Sequence, residues 1–525
     1  MDACLNQSIG ITLPVWNTYS RVPKIPGYTN ISTKIPILER LLGTLPATEG
    51  QLQSDEFFGR VHSFDGSGEC IVETASKKKK HAYCKVTHIL DPTRKIQGYY
   101  DDAEKGAERA EIKRSYTTNQ AYVDFLANYL LGQLRERDIS PHFCMFYGGF
   151  QGIADTYRYN ITESFESYRH YKRFWEKKES GLFSLYITHD GETIDEDSTM
   201  RSAMHTRSFS YSSKKTDSSH VSLLEYAGAD TCLDELESVS SFPTNSSDSE
   251  TDSYDSDEES THVFSEFKKF PTMLIFQEKM DGIMDKELDE VEDGFEEKWT
   301  AWTFQVIAAL CVAQGVFGLT HNDLHTNNIL YSKTDIEFLY YTMRDGSVWK
   351  VPTYGRILRI IDFGRSVFRI GESWYVSDDF AKGGDAQAQY SFGEFKVGDT
   401  PDIYPNPSFD LCRYAVSVIE ALFTNVPDDK EDGAVLSEEG SWIVRETVSP
   451  LWNLLWTWLV DSEGKNVLRE EDGMERYPNF DLYERIATHI MNAKPQDQVK
   501  KDIFKGYAIS RTEVPEKEKV YSLFC

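Results

Sequence analysis

The most continuous apolar run, Ala301 to Leu319, is interrupted by Gln305 and Gln314 and ends directly on His321-Asn322-Asp323. It is apolar around its whole circumference, which predicts a buried helix over 296–318. Its length approaches that of a bilayer span, but the glutamines and the polar stretch that follows favour a core helix. Residues 117–138 read as an amphipathic helix: Ala121, Phe125, Leu126, Tyr129, Leu130 and Leu134 recur at helical spacing, Thr117 or Thr118 caps the start, and Ser140-Pro141 ends it.

Other stretches carry strand signals. Residues 51–90 alternate like antiparallel strands with tight turns, and 81–86 forms one of them. Phe143 to Tyr147, ending at Gly148-Gly149, and Phe270 to Phe276, leading to Gly282, read as buried strands. Phe338–Tyr341 and Val348–Val351 flank Arg344-Asp345-Gly346-Ser347, where Asp-Gly signals a hairpin. A strand over 357–361 follows. Residues 365–408 look irregular, 409–423 helical, and the rest to about 508 helical with Trp452, Trp456 and Trp458 on apolar faces.

A chain of 525 residues exceeds one compact core. Residues 1–50 read as an extension that packs on the domain or stays loose, and 151–268 as an insertion. Within the insertion, 238–260 holds seven acids and no basic residue, with almost nothing to bury, so disorder is expected. It is a solubilising loop, a target for an acid-directed kinase, or a dock for a basic partner. The net charge of -29 argues against nucleic-acid binding. Eight scattered cysteines with no CxxC pair argue against a zinc site or a disulfide framework. With no secretory signal at the N-terminus and no membrane partner expected, these features point to a reducing, cytoplasmic setting.

The chemistry concentrates in a few positions. His321-Asn322-Asp323 is followed by Asn328, and thirty-four residues later by Ile361-Asp362-Phe363-Gly364. Phosphoryl transfer needs a triphosphate held, its charge neutralised and a hydroxyl aimed in line. An acid and an amide on one loop, with an acid at a strand end, meet the last two needs. Lys85, ending an alternating strand, is placed to meet the first.

That order of elements resembles the protein-kinase superfamily. His321-x-Asp323-x-x-x-x-Asn328 matches the catalytic-loop spacing and Asp362-Phe363-Gly364 the magnesium motif. Thr320 to His325, Val351 to Gly355 and Ile139 to Phe143 more closely resemble predicted serine/threonine kinases of giant double-stranded DNA viruses. The resemblance spans roughly 51–150 and 269–500. It implies an α+β, bilobal fold: a small antiparallel-sheet lobe (51–150 and 269–281) and a larger, mainly helical lobe (282–525), with the long, partly disordered insertion between. It implies ATP and Mg2+ as cofactors and a protein substrate, in the host cytoplasm or virion if the chain is viral.

Carried over residue by residue, Asp323 is the catalytic base, Asn328 and Asp362 hold metal, and Lys85 binds the α/β-phosphates. Glu278 to Met280 form the adenine hinge. Asp410 braces the catalytic loop or simply caps its helix. The phosphate loop is either Gly66-Ser67-Gly68 or a tip at Gly59 with Val61; Phe-Gly-x-Val, the usual ending of that loop, favours Gly59. Gln120, Asp124 and Glu111 lie near the place of the lysine's acidic partner. Asn322 replaces the usual arginine before the base, His325 the common lysine two past it, and Thr400-Pro401-Asp402 is the nearest remnant of Ala-Pro-Glu. A catalytically weak pseudokinase scaffold and a small-molecule kinase remain the alternatives.

Overall fold

A computed structural model describes residues 23–44, 58–64, 68–74, 77–189, 192–194, 261–288, 294–381, 384–390, 405–431, 446–470, 473–478 and 481–524. The acidic stretch 238–260 and Thr400-Pro401-Asp402 lie outside them. The architecture is mixed α+β.

An antiparallel sheet forms from β1 (Tyr28–Ser32), β2 (Phe58–Phe64), β3 (Glu69–Thr74), β4 (Lys79–His88), β5 (Phe146–Asn160) and β8 (Thr261–Glu278), ordered β1-β5-β8-β4-β3-β2. β6 (Ser184–His189) also pairs with β8, and with β7 (Glu192–Ile194). Alternation sorts its faces. Cys70, Val72, Ala82, Cys84, Phe150, Leu274 and Phe276 pack together in one cluster. Met273 and Ile275 join the larger core with α4 (Gln120–Glu136), which follows α1 (Pro36–Thr44), α2 (Pro92–Ile96) and α3 (Gly106–Ser115).

Helix α4 is buried along its length from Ala121 to Leu134, and its N-cap is Asn119, whose side chain accepts from the Ala121 N–H. The cap therefore falls one residue beyond the threonines read from sequence. Gly149 lets the helix approach the sheet: a Cβ there would come within 2.6 Å of the Phe125 ring. The described part of the extension, 23–44, packs on this unit. β1 pairs with β5, and Ile37, Leu38 and Leu41 of α1 enter the main core.

The expected insertion at 151–268 begins and ends inside the sheet. β5 and β8 pair from Phe146↔Gln277 to Asn160↔Phe264, with one register shift near Gly148, and β6 and β7 of the insertion add to the same sheet beside β8. Thr156-Tyr157-Arg158-Tyr159 and Ser265-Glu266-Phe267-Lys268 lack an apolar run, because one side of this half faces water. Its other side, with α5 (Thr162–Tyr168) and α6 (Lys172–Glu179), encloses a second core around Tyr168, Phe174, Phe183, Phe267 and Phe270.

The other half is built on α7 (Phe295–Phe317), which ends at Gly318 in a left-handed conformation, φ 57°. By length and composition α7 is apolar enough to cross a bilayer, yet 89% of its most apolar window is buried within the protein. Its glutamines explain themselves. Gln305 accepts from the Leu358 N–H and donates to Arg356 O, satisfying strand edges that would otherwise be buried unpaired. Gln314 donates to Pro407 O.

Sharing one core with α7 are α8 (Phe409–Leu422), α9 (Pro450–Trp458) and α10 (Asp481–His489). Two small sheets complete this half. In one, β9 (Gly282–Ile283), β10 (Ile329–Lys333) and β13 (Arg356–Ile360) run in the order β13-β10-β9. The other contains the expected hairpin, β11 (Phe338–Thr342) and β12 (Val348–Pro352). It is widened by β16 (Ala508–Ile509) and β17 (Val520–Ser522), which are too short to show in the sequence pattern. The irregular segment after 365 contains a small hairpin, β14 (Phe368–Ile370) with β15 (Ser373–Tyr375).

Candidate active site

The ladder between β10 and β13 brings the two motifs together. Ile329 pairs with Ile360, and the Ile361 N–H donates to Asn328 O at 3.0 Å. Asn328, just before one strand, therefore lies near Asp362, two residues past the end of the other. Asp362 adopts a left-handed φ of 62°, a conformation that costs energy in a non-glycine residue and persists only where surroundings impose it.

Lys85 ties the sheet to this site. Its Nζ lies 2.7 Å from Asp362 Oδ1 and 2.7 Å from Asp124 Oδ2. Burial works against the ammonium, but the two carboxylates outweigh it and push the lysine pKa up. The Asp362 carboxyl is raised by burial and lowered more strongly by Lys85, which leaves it at about 2. Asp124 also accepts from the Phe363 N–H at 2.8 Å through Oδ1. Of the three positions near the expected place, Asp124 is thus the lysine's partner, while Gln120 packs against Gly364.

The loop carrying Asp323 is fixed from below. Asp410, at the start of α8, accepts from the His321 and Asn322 N–H groups, each at 2.9 Å. It acts as the brace rather than as a cap for its own helix. Burial pushes its carboxyl up to about 6. Asn322 has φ 66°; its Nδ2 donates to Arg365 O, and its Oδ1 accepts from the Tyr390 hydroxyl. His321 bonds Ile361 O at 2.8 Å and packs on the buried Phe363 ring.

Asp323 itself is held at both oxygens. Tyr483 of α10 donates to Oδ1 at 2.9 Å, and Arg365 Nη1 donates to Oδ2 at 3.1 Å. Burial raises its pKa, but Arg365, with smaller help from His325 and Arg413, holds the carboxyl below its ordinary value. His325 is driven by burial to about 4, so its imidazole is neutral near pH 7. Sequence reasoning missed Arg365 and Tyr483. Arg365 directly follows Asp362-Phe363-Gly364 and was legible as an unexpected charge. Tyr483 is 160 residues from its partner and carried no signal.

The donor chemistry fits a hard divalent cation. Asn328 Nδ2 donates to Asp323 O at 2.8 Å, which leaves its Oδ1 for a metal, and the Asp362 side chain is 46% exposed. Among the described residues no cluster of three or more His, Cys, Asp or Glu gathers to hold a metal unaided. Asn328 and Asp362 would thus hold an ion whose other ligands come from phosphate and water, as magnesium prefers.

The structure does not bring Gly59 and Val61 to Lys85. Gly59 lies inside β2 at the end of the sheet where Glu73 pairs with Lys79; Val61 pairs with Val72. Six residues along β4 separate Lys79 from Lys85, about 20 Å at the usual strand rise. Of the other candidate, Gly66 and Ser67 lie outside the described residues, and Gly68, with φ 98°, accepts through its carbonyl from the N–H of Cys84, the residue before Lys85. Phe-Gly-x-Val misled because it is an ordinary strand segment here. Glu278 ends β8, where its N–H donates to Met145 O. The Met280 sulfur contacts Arg359 Nη1 at 3.2 Å.

No family model matches the chain. A stretch of 59 residues is 39% identical to the serine/threonine-protein kinase haspin of Mus musculus, covering 11% of this chain and 8% of that protein. The haspin of Bos taurus matches to the same extent, over 7% of its length. A longer stretch of 138 residues is 30% identical to uncharacterized protein 098R of Invertebrate iridescent virus 6, covering 25% of this chain and 23% of that one. The similarity to a kinase is therefore local.

Proposed function

We propose that the chain is an ATP- and magnesium-dependent phosphotransferase with a bilobal, kinase-like fold, and that it transfers the γ-phosphoryl group to a serine or threonine hydroxyl of a protein. The observation that carries this reading is Lys85 bridging Asp124 and Asp362 while Asp323 and Asn328 lie on the adjoining loop. A lysine fixed between two carboxylates is costly to bury, and the arrangement acquires a purpose if a phosphate enters beside it. Local similarity to haspin, a serine/threonine-protein kinase by name, supports a protein acceptor.

In this reading Lys85 meets the α- and β-phosphates near Gly68, with adenine against the Glu278–Met280 connection. Magnesium, when bound, neutralises phosphate charge. Asn328 and Asp362 orient it. Asp323 accepts a hydrogen bond from the acceptor hydroxyl, aims its oxygen in line and takes its proton as the bond to phosphorus forms. A loose transition state asks for aim more than for strong basicity, which suits a carboxylate held below its ordinary pKa.

The test is incubation of purified full-length protein with magnesium and labelled ATP, alone and with a panel of protein substrates, beside Asp323→Ala and Asp362→Ala. Label transfer that both variants lose is expected. Binding of magnesium-ATP without transfer selects the pseudokinase scaffold, and no binding removes the reading.

A further inference from the structure

The loop that carries Asp323 supplies no cation of its own. Residues 320–328 hold no lysine or arginine, and His325 Nε2 on this loop lies 3.1 Å from the Asn328 Nδ2 donor. Lys85 is already committed to Asp124 and Asp362. The cation in direct contact with the base comes instead from the segment after Asp362. A turn closed by the Ser366 N–H to Phe363 O folds that segment back, and Asn322 Nδ2 secures it at Arg365 O, 3.0 Å away. Arg365 Nη1 then meets Asp323 Oδ2 at 3.1 Å. On its other side Nε faces Asp379 Oδ2 at 3.8 Å, beyond hydrogen-bond length. The side chain is only 7% exposed, so the charge acts in a poorly screened setting.

We propose that Arg365 is a catalytic residue whose guanidinium contacts the phosphoryl group in transfer, supplying from the Asp362 segment the positive charge that the Asp323 loop lacks. The proposal rests on the phosphotransferase reading. In the step, the acceptor oxygen forms a bond to the γ-phosphorus while the bond from that phosphorus to the bridging oxygen of ADP breaks. The bonding pair leaves with ADP, and the acceptor proton passes to Asp323. Negative charge spreads over the peripheral oxygens of the transferring group. A hydroxyl aimed by Asp323 places those oxygens near the cation bonded to the same carboxylate at Oδ2, which is Arg365. A fixed guanidinium there stabilises the transition state more than the ground state, and its planar fork can serve the carboxylate and a phosphoryl oxygen together.

Three measurements test this on the full-length protein: steady-state kinetics, calorimetric affinity for magnesium-ADP and magnesium-AMP-PNP, and thermal unfolding. Arg365→Met is expected to lower kcat about 100-fold, the usual loss on removing one such donor, with KM for ATP changed far less. It is expected to weaken AMP-PNP binding while leaving ADP binding unaltered, since only the former carries a γ-phosphoryl group. His325→Lys in the Arg365→Met background, which returns a cation beside the base from its own loop, is expected to recover at least tenfold in kcat. Equal loss of ADP and AMP-PNP affinity, or a kcat within threefold of wild type, would overturn the proposal. So would an activity loss matched by a fall in unfolding temperature and left unrescued by His325→Lys, which would make Arg365 merely a support for Asp323. A wild-type chain that binds AMP-PNP but labels no acceptor sinks the transfer reading and with it the catalytic role of Arg365, and the ADP/AMP-PNP comparison then reports only whether Arg365 contacts the γ-phosphoryl group. One that binds neither nucleotide removes both.

Discussion

Asp124 of α4 reaches Lys85 of β4 at 2.7 Å, and its other oxygen accepts from the Phe363 N–H. One fully buried carboxylate thus fixes the lysine, the helix and the segment that carries Asp362. Burial raises its pKa, and Lys85 offsets only part of that rise. Its charged form therefore depends on those partners, and removing them should be felt at once.

Asp124→Ala should lower kcat/KM for ATP by about 100-fold, since a 1 Å displacement at such a site costs that much. Lys85 retains Asp362, so the lysine stays charged but loses its second anchor. Asp124→Glu should recover little, because the added methylene must fit where α4 already touches the sheet at Phe125 and Gly149. Steady-state kinetics with ATP, beside thermal unfolding, check both. An Asp124→Glu enzyme as active as wild type would contradict this geometry.

Much of this arrangement was legible beforehand, for physical reasons. The helices α4 and α7 and the β11/β12 hairpin carry strong periodicity or turn chemistry, and Asp323, Asn328 and Asp362 fall on short loops whose spacing is set by the strands beside them. The outer half of the β5/β8 hairpin was hidden because one face is wet and aromatic residues alternate with charges there. The lysine's partner was ambiguous because Gln120 and Asp124 share one face of α4, and only the packing at Gly364 separates them. Gly59 was misplaced because a local tetrapeptide has no information about which end of a sheet it occupies. Arg365 and Tyr483 act through pairings that no local pattern encodes.

Removing the chemistry without the fold should separate binding from transfer. Asp323→Asn keeps a side chain of the same shape between Tyr483 and Arg365 but cannot take a proton. It should retain magnesium-ATP binding while kcat drops about 1,000-fold, within the range for loss of a general base. Asp362→Asn should lose magnesium-dependent tightening of nucleotide binding as well as transfer. Calorimetry with and without magnesium distinguishes the two, and equal nucleotide affinities in both variants would argue against Asp362 as a metal ligand.

The segment beyond Asp362 is anchored by carboxylates. Asp378 accepts from the Lys113 ammonium and from the Gln120 N–H, and its own N–H donates to Thr118 O. Asn322, where an arginine would meet a phosphate, is buried and bonded to Tyr390 and Arg365. Phosphatase treatment should therefore leave activity unchanged. Asp378→Ala should strip the anchor from the Gln120 N–H and cost about 1–3 kcal/mol of local stability, seen as faster proteolysis near residue 380 and lower kcat. Activity abolished by phosphatase and restored by phosphorylating this segment would overturn the expectation.

Asp410 is the group expected to set a pH dependence of the proposed activity. Its carboxyl lies at about 6 in the folded chain because it is buried, against about 3.9 when unfolded. The native state therefore binds this proton more readily. Asp410's contribution to stability is complete below about pH 4 and is lost as pH rises through about 6. Catalysis runs the other way. Ionised, Asp410 serves the His321 and Asn322 N–H groups with both oxygens; protonated, it turns one oxygen into a donor facing a donor, and the Asp323 loop loosens. On acidification kcat should fall with an apparent pKa near 6, while this residue adds no loss of thermal stability over that window. Neither Asp323, held below its ordinary value, nor His325, at about 4, changes charge there. Asp410→Asn, fixed in the one-acceptor form, should have low kcat at every pH and no acid limb near 6. If instead that limb persists unchanged in Asp410→Asn, another group sets it, and the brace does not govern the Asp323 loop.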